Sequence, residues 1–503
     1  MLTWLSYLEN TVSVSGGLLH HGLEQAALRA PDGVAIRAGE ATTTWAELDA
    51  RADAVAHLLA DRGVHQGDRV AVLLTNRVEF TIAVHGIAKR GAAAVLLSPA
   101  WKAAEVDHAL ELTAPVLGIA DGAGLALLDE RLPTVDADAL PGPATGRADG
   151  EVTDPDDDVV LVFSSGTTGM PKAVRHTHAS LVAATHHWVA ALGLTAADRF
   201  QVATPPSHIL GLLNLLAAAE AGATVRLHPR FDLDEVLRRI ESDRITIEMA
   251  VAPIALAMAN HPDLERYDLS SLRYVMWGAT PVTPSVAEAV TRRTGVRWLP
   301  AYGASELPVL AANPVGRPDE WRLDSAGLPP TGVELRVADL DTGAVLDPGG
   351  IGEVQARSAS AMAGYLPAEA TADAFTADGW YRTGDVGWLE ADGWVHLTDR
   401  SKEMIKVNGF QVAPAEIEAV LLGQPGVLDC AVFGVPDDAK GEVPIAAVQL
   451  DGEIDLTALR QAVADALATY KHLAHVVVVD VIPRLPSGKV LRRQLRDEWL
   501  VRA

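Results

Sequence analysis

Apolar residues in the first quarter of the chain alternate between helical spacing and short continuous runs. Helical spacing predicts one helix over residues 45–62, with a capping-box pattern that begins at Thr44, and another helix over 79–88. Continuous apolar runs typical of buried strands cover residues 69–74 and 94–97. Because helices interleave with apolar strands, this part of the chain predicts a parallel α/β sheet.

The pattern changes along the rest of the chain. Residues 141–158 are rich in Pro, Gly and Asp without periodicity and predict a surface connection. A second α/β series follows over 159–314, and short runs with Gly and Asp turns over 322–398 predict a small antiparallel β unit. The last hundred residues predict a separate small α/β domain, with helices over 414–422 and 456–467 and strands over 430–433 and 476–479.

Composition narrows the class of protein. The 503 residues are too many for one compact core, since a domain usually holds roughly 100–200 residues. Apolar residues make up 49% and charged residues 21%, which excludes disorder as the main state. The 66 acidic and 41 basic residues give a formal net charge of −25. Such a chain repels polyanions, so neither nucleic acid nor an anionic membrane is an expected partner.

Cys430 is the single cysteine, so we expect no intrachain disulfide and no cysteine-based metal site. The first residues lack a basic start, and Glu9 interrupts their apolar run, which is atypical of a signal peptide. A membrane span needs about 20 apolar residues, and the best candidate, 209–219, already contains Asn214. These features favour a cytoplasmic protein.

The densest chemical signal follows an apolar run at 160–163. That run leads into Ser164-Ser165-Gly166-Thr167-Thr168-Gly169-Met170-Pro171-Lys172. Glycines let backbone amides approach phosphate oxygens, and hydroxyls and a lysine add donors. The spacing differs from that of a Walker loop. The structural alternative is a tight Ser/Thr/Gly turn after a strand.

Further motifs follow in order along the chain, and together they resemble the signatures of the AMP-forming acyl/aryl-CoA synthetases, the adenylate-forming (ANL) superfamily, with 4-coumarate-type ligases as the model. The motifs are the 164–172 segment, Tyr302-Gly303-Ala304-Ser305-Glu306, Tyr381-Arg382-Thr383-Gly384-Asp385, residues 399–411 and Pro486-Ser487-Gly488-Lys489. The resemblance covers roughly residues 20–498 and implies an α/β fold with a small, mobile α+β C-terminal domain. It implies an adenylation domain over 1–399, a hinge over 400–402 and a lid over 403–503.

The resemblance also implies a nucleotide site. ATP would be bound by residues from all of these motifs and from a Gly-Ala-Thr-Pro strand end: Ser164, Ser165, Gly166, Thr167, Thr168, Gly169, Lys172, Gly278, Ala279, Thr280, Ala301, Tyr302, Gly303, Ser305, Asp385, Arg400, Lys406, Gln411 and Lys489. Tyr302 offers a flat face for adenine, Asp385 suits the ribose hydroxyls, and Glu306 suits Mg²⁺, which prefers oxygen ligands. A core tyrosine and a turn aspartate are the structural alternatives for the first two.

Catalytic and thiol-binding roles come from the resemblance alone. It implies catalytic roles for Lys489, Lys402, Thr168 and His208, with Lys489 bridging the substrate carboxylate and the α-phosphate and Lys402 serving as the hinge. Asn408 and Gly409 would lie beside the path of the CoA thiol.

The expected acid pocket surrounds a Pro-Pro-Ser-His motif that ends at His208. Motif alignment with the 4-coumarate-type ligases places its wall at His208, Leu210, Met276, Trp277, Ala279, Leu299 and Ala301. No Asp that would meet an α-amino group lies in this motif. Trp277, Leu299 and Ala301 replace smaller residues, which predicts a small pocket. The alternative is that these side chains point into the core. The remaining paired histidines (His20-His21, His186-His187), His176 and His178 lack ligand spacing, and we predict structural or surface roles for them.

These features predict an enzyme that activates a small acid with ATP as an acyl-adenylate and then transfers it to coenzyme A. Two other acceptors stay open: a carrier-protein thiol, or an amine with nitrite as the activated acid. A nucleotide-binding regulatory protein is the non-enzymatic alternative, and the intact Glu306, Asp385 and Lys489 argue against it. A homodimer also stays open, as does the identity of the acid.

Overall fold

The structure is a computed structural model, and it describes residues 17–148, 153–164, 171–278, 282–400, 403–407, 410–437, 440–452, 454–484 and 488–502. The first elements are α1 (His21–Arg29), β1 (Val34–Ala38), β2 (Ala41–Thr44), α2 (Trp45–Asp61), β3 (Arg69–Leu73), α3 (Val78–Lys89), β4 (Ala93–Leu96), α4 (Ala103–Thr113), β5 (Leu117–Ala120), α5 (Gly122–Asp129) and β6 (Thr134–Asp136). Thr44 caps α2 by accepting a hydrogen bond from the Glu47 amide at 3.2 Å, so the predicted helix start is confirmed.

The middle of the chain continues the alternation of helices and strands. Its elements are β7 (Asp158–Ser164), β8 (Lys172–Thr177), α6 (His178–Leu192), β9 (Arg199–Val202), α7 (Ile209–Ala221), β10 (Thr224–Leu227), α8 (Leu233–Asp243), β11 (Ile247–Ala250), α9 (Ala252–Ala259), β12 (Tyr274–Trp277), α10 (Pro284–Thr294), β13 (Trp298–Tyr302) and β14 (Ala311–Ala312).

The remaining elements form the β unit and the C-terminal domain. They are β15 (Val333–Ala338), β16 (Gly352–Ser358), β17 (Gly364–Leu366), α11 (Glu369–Ala372), β18 (Tyr381–Leu389), β19 (Val395–Arg400), β20 (Ile405–Val407), β21 (Phe410–Val412), α12 (Pro414–Leu422), β22 (Val427–Asp437), β23 (Gly441–Leu450), α13 (Leu456–Ala466), β24 (His475–Val478) and α14 (Arg492–Arg502).

Two large sheets of the described chain carry the N-terminal region, with strand orders β17-β8-β7-β4-β3-β5-β6 and β14-β13-β12-β11-β9-β10-β1-β2. Most of their strands pair in parallel, as the sequence predicts, whereas β8 pairs antiparallel with both β7 and β17. Val72 and Phe200, one from each sheet, belong to a single core with Leu59 of α2 and Leu216 of α7. The helices between the sheets therefore join both into one body.

The predicted antiparallel β unit is present as the sheet β15-β16-β18-β19. One short strand from the same stretch leaves it: β17 pairs antiparallel with β8 of a large sheet, with Tyr365 opposite Val174. The apolar pattern of a strand does not reveal which sheet it joins, because its partner is chosen by tertiary contacts. The exchange brings residues 364–366 beside the strand that begins at Lys172.

The C-terminal domain has its own sheet, in the order β21-β20-β23-β22 with β24 beside β23. Ile417, Val432 and Val463 belong to one core on this sheet, and Phe433 and Leu495 belong to another. The predicted small α/β domain is therefore confirmed. No helix in the described part of the chain is both long and apolar enough to cross a membrane.

Several histidines are buried in the N-terminal region. Burial lowers the pKa of His85 to about 3 and the pKa of His176 and His178 to about 4, because an imidazolium is poorly solvated there. Both ring nitrogens of His85, on α3, lack a hydrogen-bond partner among the described residues. The folded protein therefore holds these side chains neutral.

We predict that the free energy of unfolding falls as the pH falls from about 6.5 toward 4. The unfolded chain takes up protons with a histidine pKa near 6.5, whereas the folded chain does not, so each histidine costs about 1.4 kcal/mol of stability per pH unit in that range. His85→Leu should make this slope shallower by about one proton, as urea denaturation at several pH values would measure.

The matched control is Thr81→Val, because it removes another buried and unpartnered polar atom from the same helix without removing a titrating group. Thr81→Val should keep the parent slope. An unchanged slope in His85→Leu would contradict the assignment of the slope to buried histidines.

Candidate active site

The loop after β13 carries the Tyr-Gly-x-x-Glu motif back over its own strand. A Cβ atom at Gly303 would overlap the carbonyl oxygen of Pro308, so glycine is required for this close approach. The Ala304 amide donates to Leu307 O at 3.0 Å, and the Leu310 amide donates to Tyr302 O at 2.9 Å. The turn therefore holds Ser305 and Glu306 at the carboxyl end of a parallel strand, where α/β sheets place their ligands.

Tyr302 and Asp385, which the sequence predicts at adenine and ribose, lie together. The Tyr302 hydroxyl donates to Asp385 Oδ2 at 2.6 Å. Asp385 is only 8% exposed, and its amide donates to Thr383 Oγ1 at 3.0 Å. The β unit thus contributes a carboxylate to the end of a large sheet, and the two residues form one site.

Glu306 meets a residue that the sequence analysis missed, Tyr365 of β17. The Tyr365 hydroxyl donates to Glu306 Oε1 at 2.7 Å, and Lys172 Nζ lies 5.3 Å from the centre of the Tyr365 ring. The Glu306 side chain is nearly buried, and its backbone oxygen accepts from the Met362 amide at 2.8 Å. No motif marks Tyr365, because a tyrosine in a short strand is ordinary; only the pairing of β17 with β8 shows its place.

His176 fixes the backbone of this loop. Its Nε2 lies 2.8 Å from Ser305 O and its Nδ1 lies 3.2 Å from Ser180 Oγ. A carbonyl oxygen only accepts, so Nε2 carries the proton in the neutral ring that the lowered pKa implies. This buried histidine has the structural role that the sequence predicts, at the edge of the site. Tyr381 nearby also stays neutral, because burial raises its pKa well above the ordinary value.

Ser164 and Lys172 flank the predicted phosphate loop and are directly opposite each other in the β7–β8 pair. Gly278 follows β12, and its amide donates to Ala250 O at 3.3 Å. Lys406 is exposed on β20, and its amide donates to Glu442 Oε2 at 2.8 Å. Lys406 stays a prediction, since none of these contacts ties it to the Tyr302–Asp385 pair.

The predicted acid-pocket residues divide between two faces of one sheet. His208 precedes α7 and Leu210 lies in its first turn; Met276 and Leu299 are fully buried in the core against which Leu210 and Ala301 pack. Burial lowers the pKa of His208. A Cβ atom at Gly211 would lie 2.6 Å from Pro205 O, so glycine lets this motif pack on the start of α7.

Trp277 lies on the other face. It is 1% exposed, its ring centre is 5.2 Å from that of Trp298, and both belong to a separate core built on α8, α9 and α10. Successive strand residues point to opposite faces, so Met276 and Trp277 cannot line the same cavity. The structure therefore does not place Trp277 with the other pocket residues, and the packing alternative describes it.

Lys489 reaches the N-terminal region through its loop. A Cβ atom at Gly488 would lie 3.1 Å from Pro253 Cδ and 3.5 Å from Val251 Cβ, just beyond β11. Lys489 Nζ lies 3.4 Å from Glu403 Oε1, and Arg492 donates to Glu403 Oε2 at 2.6 Å. A carboxylate next to the predicted hinge thus contacts the lysine predicted to be catalytic.

Some predicted site residues lie outside the described part of the chain. They are Ser165, Gly166, Thr167, Thr168, Gly169, Ala279, Thr280, Lys402, Asn408 and Gly409, together with the side chains of Arg400 and Gln411. Their roles stay predictions.

Glu306 offers a carboxylate with one oxygen bonded to Tyr365, and the described residues contain no cluster of three or more metal-ligating side chains. This donor set fits Mg²⁺, which is usually held by one or two carboxylates together with substrate phosphates and water.

Known proteins are similar to this chain over nearly its whole length. The family model for AMP-binding enzymes matches residues 23–366, and the model for the AMP-binding enzyme C-terminal domain matches residues 416–489. The 4-coumarate–CoA ligase 2 of Oryza sativa subsp. japonica is 36% identical over 499 residues, with 90% of this chain and 87% of that protein covered.

Solved structures agree with these matches. The o-succinylbenzoate CoA synthetase of Bacillus subtilis, in complex with its acyl-adenylate intermediate, superposes with a TM-score of 0.86 at 31% identity and covers 96% of this chain and 99% of its own. The amide bond synthetase of Marinactinospora thermotolerans has a TM-score of 0.85 at 30% identity, with 96% and 100% covered. The chain belongs to the AMP-binding enzyme family, the adenylate-forming ligases that include the 4-coumarate–CoA ligases.

Proposed function

We propose that this enzyme joins a small carboxylic acid to AMP, with release of pyrophosphate, and then transfers the acyl group to coenzyme A. The observation that carries the proposal is the meeting of Tyr302, Asp385, Glu306 and Lys172 at the end of β13. The 4-coumarate–CoA ligase and o-succinylbenzoate CoA synthetase relatives support a CoA acceptor.

In the proposed first step the acid's carboxylate attacks the α-phosphate of ATP, and pyrophosphate leaves. Two anions must approach each other, so the protein has to supply positive charge. Lys172 would bind phosphate oxygens, and Lys489 would approach both the carboxylate and the α-phosphate. Asp385 would bind the ribose hydroxyls beside Tyr302. Mg²⁺ on Glu306 would neutralise phosphate charge when bound.

In the proposed second step the C-terminal domain rotates and a thiol attacks the acyl carbon, with AMP as the leaving group. The strand pairing limits where the hinge can begin. Arg400 still pairs with Asp385 in the β18–β19 ladder, so the rotation would begin after residue 400. Lys402 remains the proposed hinge residue. Residues 1–399 and 403–503 are the proposed adenylation and lid domains, and the cytoplasm is the proposed location.

A second candidate acceptor is an amine, which the similarity to an amide bond synthetase favours. Two further alternatives are a carrier-protein thiol as the acceptor, and an amine as the acceptor with nitrite as the activated acid. Pyrophosphate release over a panel of small acids, including nitrite, with and without CoA, amines or an acyl carrier protein, tests all of them. Acid-dependent pyrophosphate release without thioester formation in the presence of CoA would contradict CoA as the acceptor.

Lys489→Ala should lower acid-dependent pyrophosphate release by roughly 100- to 1,000-fold, because it removes a donor to developing charge. Thioester formation from a supplied acyl-adenylate should persist. The control is Arg493→Ala, an exposed cation on α14 that should leave both half-reactions unchanged. Equal losses in both half-reactions of Lys489→Ala would show that its role is not confined to adenylation.

Glu306→Gln should lower pyrophosphate release and raise the Mg²⁺ concentration for half-maximal rate by roughly tenfold or more, since a neutral ligand binds the ion more weakly. High Mg²⁺ should restore part of the rate. Glu320→Gln, at an exposed carboxylate paired with Arg317, is the control. The same Mg²⁺ dependence in Glu306→Gln and parent would remove Glu306 from the metal site.

Leu299→Ala and Trp277→Ala should behave differently, because the two side chains lie on opposite faces of the sheet. Leu299→Ala should shift kcat/KM toward longer acids, by about 0.8 kcal/mol for each newly buried methylene. Trp277→Ala should cost about 3–5 kcal/mol of stability and keep the ranking of acids. The measurements are kcat/KM for acids of increasing length and the melting temperature of each variant. If Trp277→Ala raised kcat/KM for longer acids, Trp277 would belong to the pocket wall.

A further inference from the structure

We propose that Tyr365 is a positioning residue that sets two parts of the active site at once: its hydroxyl orients the Glu306 carboxylate, and its ring orients the Lys172 ammonium. The inference rests on the proposed function, in which Glu306 holds Mg²⁺ and Lys172 binds phosphate. It concerns a residue that no sequence motif marks and that joins chain segments nearly 200 residues apart.

The backbone of Tyr365 is fixed on both sides. Tyr365 is paired with Val174 and Leu366 with Ala173, so β17 lies along the strand that begins at Lys172. On its other side, the Tyr365 amide donates to Thr371 Oγ1 at 2.9 Å. The side chain therefore projects from a held strand rather than from an adjustable loop, which is what precise orientation of a partner requires.

The hydroxyl end contacts the carboxylate. Tyr365 donates to Glu306 Oε1 at 2.7 Å, and Glu306 is only 8% exposed. A carboxylate this far from water depends on protein donors, and one such bond fixes the plane of the group. Oε1 accepts from Tyr365, and in the proposed site Oε2 is the oxygen presented to a metal ion. Outer hydrogen bonds of this kind typically change metal affinity by about 10- to 100-fold.

The ring faces the lysine. Lys172 Nζ lies 5.3 Å from the ring centre, within the roughly 6 Å over which an ammonium is attracted to an aromatic face. A half-buried lysine on a flexible stem gains a preferred position from this contact. The lysine and the carboxylate thus take their places from the same side chain, which keeps the two charges at a fixed separation.

Two substitutions separate these roles. Tyr365→Phe keeps the ring and removes the hydroxyl, whereas Tyr365→Leu removes both. The probe is α,β-methylene-ATP, which cannot release pyrophosphate, and its affinity is measured by calorimetry in EDTA and in Mg²⁺. Binding is thus followed without turnover, and melting temperatures confirm that each variant is folded.

In Tyr365→Phe, the affinity in EDTA should match that of the parent, and the gain in affinity on adding Mg²⁺ should fall by about tenfold. Tyr365→Leu should show the same reduced gain on adding Mg²⁺. In addition, its affinity in EDTA should be roughly two- to fivefold lower than that of the parent, because Lys172 loses its aromatic contact. A full Mg²⁺ gain in Tyr365→Phe would overturn the role of the hydroxyl. Equal EDTA affinities in Tyr365→Phe and Tyr365→Leu would overturn the role of the ring.

The matched control is Tyr267→Phe, which removes another tyrosine hydroxyl that donates to a carboxylate, Asp234 Oδ1 at 2.5 Å, on the protein surface. It should bind the probe as the parent does in both buffers. Glu306→Gln separates the two levels of inference. If Glu306→Gln keeps the full Mg²⁺ gain, the proposed metal site and the role of the Tyr365 hydroxyl both fail. If Glu306→Gln loses the gain and Tyr365→Phe keeps it, only the Tyr365 proposal fails.

Discussion

A carboxylate withdrawn from water needs hydrogen-bond donors, and this constraint organises the active site. Glu306 and Asp385 are each 8% exposed, and each accepts a hydrogen bond from a tyrosine hydroxyl, at 2.7 and 2.6 Å. A neutral hydroxyl satisfies the oxygen without cancelling the negative charge, so the carboxylate stays able to bind a cation or a sugar hydroxyl. An arginine in the same place would instead neutralise it.

This arrangement ties the three N-terminal sheets to one point. Tyr302 and Glu306 follow the end of β13, Asp385 lies on β18 of the β unit, and Tyr365 lies on β17 beside β8. Each hydrogen bond therefore crosses from one sheet to another. The segment that forms the β unit therefore also builds the site. Strand β17 supplies Tyr365 to Glu306, and β18 supplies Asp385 to Tyr302.

Positive charge at the proposed nucleotide site contrasts with the acidic character of the whole chain. The chain carries a net charge of −25, yet two lysines belong to the proposed site of a polyanion: Lys172 beside the Tyr365 ring and Lys489 beside Glu403. Lys489 lies 3.4 Å from Glu403, and Glu403 is itself held by Arg492, which also contacts Glu418. Lysines close to the site would let an acidic protein bind a triphosphate, because nearby positive charges outweigh the screened field of distant carboxylates.

The sequence by itself determined several of the elements and the family to which the chain belongs. Helical and strand periodicity predicted α2, β3 and α12 nearly to the residue, because local spacing and caps carry that information. The motifs predicted Tyr302, Asp385 and Glu306 as neighbours in function. Only the tertiary structure decided which side chains meet. It paired β17 with β8 and so brought Tyr365 to Glu306, and it turned Trp277 to the face of Trp298, away from Met276. Strand partners and sheet faces are set by packing between segments distant in the chain, which no local pattern records.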